Sequence, residues 1–201
     1  AWGQSLLGLA GVPLLIAVLL GVANAVYTVV VAPYAWLGRG WSAVPAGVGL
    51  SPETVTLPVW SEFAAVALLI PVAWLAVQVA DRSRRRWATL AAVAATAIAI
   101  LVGLAAAGAP WPAIPAVSLT FGLAALLVAA WVRRTAALLV PVGLVLKGAA
   151  LAGASPRPAT TLAALGLSLI AGVVIGATGR GLRSRLSGWL GAVLAAIALS
   201  G

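Results

Sequence analysis

The sequence is a succession of apolar runs, most of them near the length of a bilayer-spanning helix, separated by short breaks rich in arginine, proline or glycine. About 20 apolar residues in a row are enough for one helix to cross the hydrocarbon core of a membrane. A helix also satisfies its own backbone polar groups where water is absent. We therefore predict an all-α fold, a polytopic transmembrane helix bundle.

Composition supports a lipid environment. Hydrophobic residues make up 64% of the 201 positions and charged residues only 7%, whereas a soluble domain carries about 25% charged residues. The net charge of +9 would suit a nucleic-acid partner. However, the basic residues lie in short clusters between apolar runs, as membrane topology requires. We expect the lipid bilayer as the surroundings and no nucleic acid as a partner.

The predicted helices end at proline, glycine or arginine breaks. About seven spans are expected, over residues 13–33, 59–80, 87–107, 115–132, 135–154, 159–177 and 186–199. The last run is short for a full crossing, and residues 37–58 are predicted to form an outer loop. The chain begins at Ala1 and contains no Met, so we expect a single transmembrane domain that is either trimmed or a segment of a longer chain.

The basic residues predict the orientation. Alternating helices bring most of them to one side of the membrane: Arg82, Arg84, Arg85, Arg86, Arg133, Arg134, Arg180, Arg183 and Arg185. The other side holds Arg39 and Arg157. Because cytoplasmic loops are enriched in Lys and Arg, we predict a cytoplasmic N-terminus and an external C-terminus. The preference for Arg over Lys, with abundant Ala, Val, Gly and Leu, is typical of a GC-rich bacterium and indicates its cytoplasmic (inner) membrane.

A charge cluster follows the second predicted helix and consists of Asp81, Arg82, Arg84, Arg85 and Arg86. We interpret it as a cytoplasmic turn. Asp81, Arg82, Arg85 and Arg86 resemble the loop between helices two and three of major facilitator transporters, a pattern of Gly, three residues, Asp-Arg, one residue, Gly and two basic residues. The two glycine positions are occupied here by Val77 and Arg84. The resemblance covers ten residues and implies a transporter, although a full family member needs more helices.

Several kinds of chemistry are excluded by what the whole sequence lacks. It contains no Cys and no His, which removes disulfides, His-ligated metals and haem, and catalytic dyads built on either residue. The carboxylates are Glu53, Glu62 and Asp81 alone. We therefore expect no metal and no cofactor, and an enzyme is less favoured than a non-catalytic protein.

Lys147 is the most informative single residue, because it lies inside the fifth apolar run. An ammonium at the centre of a membrane helix costs about 2.5–3.5 kcal/mol on insertion scales. One interpretation is a substrate, ion or proton site facing the bundle interior, with Glu62 as the best available carboxylate partner. The other is that the long side chain snorkels to the outer interface.

Two further groups are singled out. Asn24, Tyr27 and Thr28 form a polar patch in the first helix, and Asn24 and Thr28 share one face. They can line a pathway or hydrogen-bond to a neighbouring helix as packing groups. Gly172 and Gly176 form a GxxxG step, which predicts close helix packing.

These features lead to a ranked set of functions. The first is a permease-type transporter of a small solute or lipid-like substrate, with Lys147, Glu62, Asn24, Tyr27 and Thr28 as candidate binding residues. The alternative is a non-catalytic scaffold or accessory subunit that packs against other membrane subunits or a second copy of itself. A membrane enzyme acting on lipid-linked substrates is the third.

Overall fold

A computed structural model of the chain describes residues 16–39, 41, 60–132 and 134–200. These residues form helices throughout and contain no β-strand, so the predicted all-α bundle is confirmed. The described part of the first helix, α1, begins at Ile16 and reaches Arg39. The others are α2 (Trp60–Val79), α3 (Arg82–Ala106), α4 (Ala113–Trp131), α5 (Ala136–Ala154), α6 (Pro158–Thr178) and α7 (Leu182–Ser200).

Helix length and hydropathy make this a multi-pass membrane protein. Among the described residues, five helices are long and apolar enough to cross a bilayer: Ile16–Tyr34, Arg82–Ala106, Ala113–Trp131, Ala136–Ala154 and Pro158–Thr178. Helix α2 contributes a shorter apolar segment, Phe63–Val79. Helix α7 is longer than predicted, because its first turn includes Arg183 ahead of the apolar run. The seven predicted spans thus correspond to helices, of which these five have the properties of a crossing helix.

Helix α1 changes its winding part-way along. A π-helical turn over Tyr27–Val31 is followed by a 3-10 segment over Ala32–Arg39. Pro33 lies in that second segment; it has no amide hydrogen, and its ring clashes with the carbonyl four residues earlier in a regular α-helix. In the 3-10 segment, Pro33 does not have to donate a hydrogen bond to the carbonyl four residues earlier. The crossing segment Ile16–Tyr34 ends beside residue 33, the predicted end of the first span, and the 3-10 winding continues beyond it to Arg39. Residues 40 and 42–58 of the predicted outer loop lie outside the described residues.

The charge cluster after α2 is helical, which corrects the predicted turn. Asp81 precedes α3, and its carbonyl accepts the amides of Arg84 and Arg85 at 2.9 and 2.8 Å. Helix α3 begins at Arg82, five residues before the predicted start at Trp87. Arginine has a high helix propensity, and its long side chain can reach the headgroups from a helical turn. The break between α2 and α3 therefore lies at Ala80 and Asp81, and the arginines of the cluster belong to the first turns of α3.

The bundle is built from helical hairpins. The contacts are most extensive within the pairs α2–α3, α4–α5 and α6–α7, and those between α4 or α5 and α6 are much sparser. A core of α1, α2, α3 and the start of α4 includes Ala25, Val66, Leu101 and Trp111, all of them fully or almost fully buried. The α4–α5 and α6–α7 hairpins therefore meet along a seam that is looser than the packing within either of them.

The two ends of the bundle differ in charge. At one end, which we call the basic end, the Arg180 amide donates to the Ala130 carbonyl at 3.0 Å, joining the end of α4 to the α6–α7 connection. At the opposite end, the Trp41 amide donates to the Ser155 carbonyl at 2.9 Å. Among the described arginine side chains, Arg157 alone lies at the opposite end; the basic end holds Arg82, Arg84, Arg85, Arg86, Arg134, Arg180, Arg183 and Arg185.

Candidate functional site

A cleft of about 660 Å³ runs between the α4–α5 and α6–α7 hairpins. It starts at the basic end, beside Arg180 and Arg183, and reaches Lys147 and Ser168 in the middle of the helices. Each helix presents one stripe to it, at the three- and four-residue spacing of a single helical face. On α5 the stripe is Ala136, Val140, Leu144 and Lys147; on α6 it is Ser168, Ala171, Gly172 and Ile175.

Close packing of α4 on α5 sets one wall of the cleft. A Cβ atom added at Gly122 would lie 2.8 Å from the Lys147 backbone nitrogen, and one at Gly143 would lie 2.9 Å from the Gly122 carbonyl oxygen. The buried Ser118 hydroxyl donates to the Leu146 carbonyl at 3.0 Å across the same contact. Small residues let two helices approach closely in lipid. The backbone of Lys147 therefore lies at the α4 contact, and Lys147 also lines the cleft.

The opposite wall comes from α6 and α7. A Cβ at Gly188 would collide with the Gly176 backbone nitrogen and lie 2.8 Å from the Gly172 carbonyl oxygen. A Cβ at Gly172 would in turn lie 2.7 Å from the Ala192 nitrogen. Gly172 and Gly176 thus lie at the α6–α7 contact, and Gly188 is their counterpart on α7. This contact draws the basic half of α6 toward α7 and leaves a gap beside α4.

The mouth of the cleft is polar and positively charged. Arg180 and Arg183 are exposed there, on either side of Gly181, which has a φ of +112° and so suits a residue without a side chain. The Ser184 hydroxyl donates to the Gly181 carbonyl at 2.9 Å. Nε of Arg185 donates to the Gly179 carbonyl at 3.0 Å and fixes the end of α6. The mouth is therefore held in shape by bonds that leave Arg180 and Arg183 free to meet solvent.

Two polar side chains lie at the inner end of the cleft. Lys147 is partly buried, roughly 16 Å along α5 from Ala136 at 1.5 Å per residue. Its ammonium makes no hydrogen bond or ion pair with any residue that the structure describes. Ser168 is 2% exposed, and its hydroxyl has no hydrogen-bond partner within that same part of the chain. Helical serines usually donate to the carbonyl four residues earlier, so an unpaired hydroxyl in a membrane helix stands out.

An apolar cluster closes the seam beyond these two residues. We call it the septum; it consists of Leu119, Ala150, Ala154 and Ala164, all buried. On its far side a smaller crevice of about 280 Å³, bounded by Trp111, Thr120 and Thr160, is lined by the same four septum residues. One seam between α4, α5 and α6 therefore carries two cavities, one toward each end, with the septum between them.

The structure separates the candidate residues that the sequence grouped together. Thr28 is buried in the α1 core, and its hydroxyl donates to the Asn24 carbonyl at 3.0 Å. Asn24 has an interaction partner as well. Tyr27 is 54% exposed, and none of the three lines the cleft. The side chain of Glu62 lies outside the described residues, so its pairing with Lys147 stays a prediction.

Comparison of the chain with protein-family models, with curated proteins and with solved structures finds no match. The resemblance of residues 77–86 to major facilitator transporters therefore stays limited to that segment, which comprises the end of α2, a two-residue break and the start of α3.

Proposed function

We propose that this protein is a permease-type carrier whose substrate moves along the seam between the α4–α5 and α6–α7 hairpins. The observation that carries the proposal is the pair of cavities on one seam, separated by the septum. A carrier exposes a central site to one side at a time, and sites near the bilayer midplane between helical repeats or bundles are common in transporters. In this state the larger cleft is open to the basic end.

The contacts between the hairpins suit relative motion. Each hairpin is held together by glycine contacts and, in α4–α5, by the Ser118 hydrogen bond. The seam between them has few contacts: the small apolar side chains of the septum and, at the basic end, the Arg180–Ala130 backbone hydrogen bond and a bond from the Trp131 indole to the Thr178 hydroxyl. Sliding or rocking of packed helices against each other is an established kind of conformational change. Two stiff units on a weak seam can therefore open the septum without unfolding either one.

Lys147 is the proposed substrate-binding residue. A charged side chain inside a membrane helix is costly, and here it faces a cavity. Lys147→Ala is expected to insert and fold normally but to abolish substrate flux, while Lys147→Arg retains part of it. Flux equal to that of the unchanged protein in Lys147→Ala would remove this residue from the mechanism.

The basic end is proposed to face the cytoplasm of a bacterial cell, because positive charge is retained on that side. The complete absence of Cys makes single-cysteine labelling clean. Ser83→Cys is expected to react with an impermeant thiol reagent only after cells are opened, whereas Ser155→Cys should react in intact cells. The reverse pattern would invert the proposed orientation.

Accessibility of the seam tests the carrier itself. Ser168→Cys is expected to react from the basic end, and the septum variant Ala164→Cys is expected to react slowly from both ends, because the seam opens alternately. Leu101→Cys, in the closed α1–α3 core with 0% exposure, is the unreactive control, and exposed Ser187→Cys is the reactive one.

A scaffold predicts a different result in the same experiment. In a static accessory subunit the septum stays closed, so Ala164→Cys would react only from the opposite end, through the crevice that it lines, and would be as unreactive as Leu101→Cys from the basic end. That outcome, with Ser187→Cys fully labelled, would exclude the carrier and favour the scaffold.

A further inference from the structure

We infer that the cleft binds an anionic group, a phosphate or a carboxylate, between its arginine mouth and Lys147. This inference rests on the proposed function only in placing the ligand in the same cleft. It adds the chemical class of the ligand, which neither the cavity pair nor the septum determines.

The charges around the cleft have one sign. Lys147, Arg180 and Arg183 line it, and the described residues contribute no carboxylate to its walls. The whole chain has only three carboxylates. Of these, Asp81 lies at the α2–α3 connection, and Glu62 belongs to α2, which packs on α3 rather than on the hairpins of the cleft. The cations of the cleft therefore lack internal compensation among the described side chains.

Hydrogen-bond donors accompany the charges. The Ser168 hydroxyl is buried, unpaired and located in the cleft wall beside the α6–α7 contact. A buried polar group without a partner costs about 1–3 kcal/mol, and an anion oxygen in the cleft would accept its hydrogen. At the mouth, the first turn of α7 carries backbone amides that have no partner within the helix. Both sets of donors suit an acceptor-rich, negatively charged ligand.

The basic residues are placed along the cleft from its entrance to its inner end. The arginines lie at the entrance, and Lys147 lies further in, roughly 16 Å along α5 from Ala136. The arginines attract an anion from solvent or from the headgroup layer, and Lys147 holds it at depth, where weaker screening strengthens the attraction. The walls between them are apolar: Leu126 and Ala129 on one side, Ala171 and Ile175 on the other. A ligand with an anionic head and an apolar body fits these walls, and so does a small free anion.

Charged thiol reagents test the sign of the electrostatic potential in the cleft. Ala171→Cys places a reporter in the cleft wall and keeps Ser168 intact, and Ser168→Cys is a second reporter. Rates are measured with an anionic and a cationic methanethiosulfonate, each normalised to Ser200→Cys, which is exposed at the end of α7 and does not line the cleft. We expect the anionic-to-cationic ratio at the reporters to rise about tenfold above the control. Adding Lys147→Gln should remove most of that rise, whereas Lys147→Arg should keep it.

Protection experiments identify the source of the anion. In one arm, millimolar inorganic phosphate is added at constant ionic strength; in the other, phosphatidylglycerol replaces phosphatidylcholine in the reconstituted bilayer. Slower labelling of Ala171→Cys by phosphate alone indicates a soluble anion, and slower labelling by phosphatidylglycerol indicates a lipid headgroup. If neither phosphate nor phosphatidylglycerol slowed the labelling, the inference would be contradicted, because a positive potential in the cleft without a bound anion is not a binding site.

The outcomes also separate this inference from the proposed function. Labelling of both reporters with equal normalised ratios would overturn the anion site and leave the open seam in place. No labelling of either reporter by either reagent, with Ser200→Cys reactive, would overturn the open seam itself and the anion site with it.

Discussion

The two halves of the α4–α6 seam are lined by similarly small residues of α6, yet one half is closed and the other is open. At the opposite end, Ala150, Ala154 and Ala164 pack with Leu119 into the closed septum. At the basic end, α6 presents the equally small Ala171 and Gly172, but the seam is open. The difference lies in the partner: near Ala164, α6 meets α4 and α5, whereas near Gly172 its backbone is held by Gly188 of α7. Where small residues on one helix can pair with either of two neighbours, the tighter pairing decides where a cavity forms.

The largest expected effect is that of a substitution in the septum, which is the closed half of the seam. Leu119 is 4% exposed in the septum, and Leu119→Ala is expected to lower the free energy of unfolding by about 2–5 kcal/mol, as for other buried leucines. It should also join the two cavities, so that Ser168→Cys reacts from both ends of the bundle. Chemical unfolding in detergent and two-sided labelling measure these changes.

Leu194→Ala is the matched control for that variant, because Leu194 is 66% exposed on α7 and its truncation leaves no internal cavity. We expect a change of about 0.5 kcal/mol or less. If Leu119→Ala destabilised the protein without making Ser168→Cys reactive from the opposite end, Leu119 would be a packing residue and not a barrier.

The next effect comes from the contact that holds the open half. A methyl group at Gly188 collides with the backbone of α6, so Gly188→Ala should lower stability by about 1–3 kcal/mol, the usual range for overpacking. Releasing α6 from α7 should also narrow the cleft and slow labelling of Ala171→Cys. Gly191→Ala, one turn further along α7, meets nothing within 4 Å and is expected to leave both quantities unchanged or to raise stability slightly. Equal effects of the two substitutions would show that the glycine contact does not determine the opening.

The smallest effect concerns the rigidity of a hairpin. Ser118→Ala removes the buried hydrogen bond from α4 to the Leu146 carbonyl, and hydrogen bonds between membrane helices average about 0.6 kcal/mol. The loss lies inside the α4–α5 hairpin, so stability should fall by this small amount while labelling of Ser168→Cys stays the same. Ser187→Ala, whose hydroxyl bonds within its own helix, is the control. A large rise in labelling would mean that the hairpin itself opens.

The helices and the uneven distribution of arginine were predictable from the sequence, because length, hydropathy and charge are properties of individual segments. Lys147 could be singled out for the same reason. The seam could not, since it depends on which helices pair: Gly122 with Gly143, and Gly188 with Gly172 and Gly176. Nor did Ser168 stand out, because most helical serines satisfy themselves locally. The sequence feature that could have pointed to Ser168 is its position four residues before Gly172, on the same helix face.

The hydrogen bond within α1 has a consequence for how the chain is made. Tyr34 of α1 reaches the Val145 carbonyl, 111 positions later in the chain. At about 5–20 residues per second, a ribosome needs on the order of 5–20 s to deliver that partner. During this interval α1 must reside in lipid without its tertiary neighbour, and the Thr28 hydroxyl is already satisfied by the Asn24 carbonyl of the same helix. Because this bond lies within one helix, the Thr28 hydroxyl needs no partner from a later helix while the rest of the chain is synthesised.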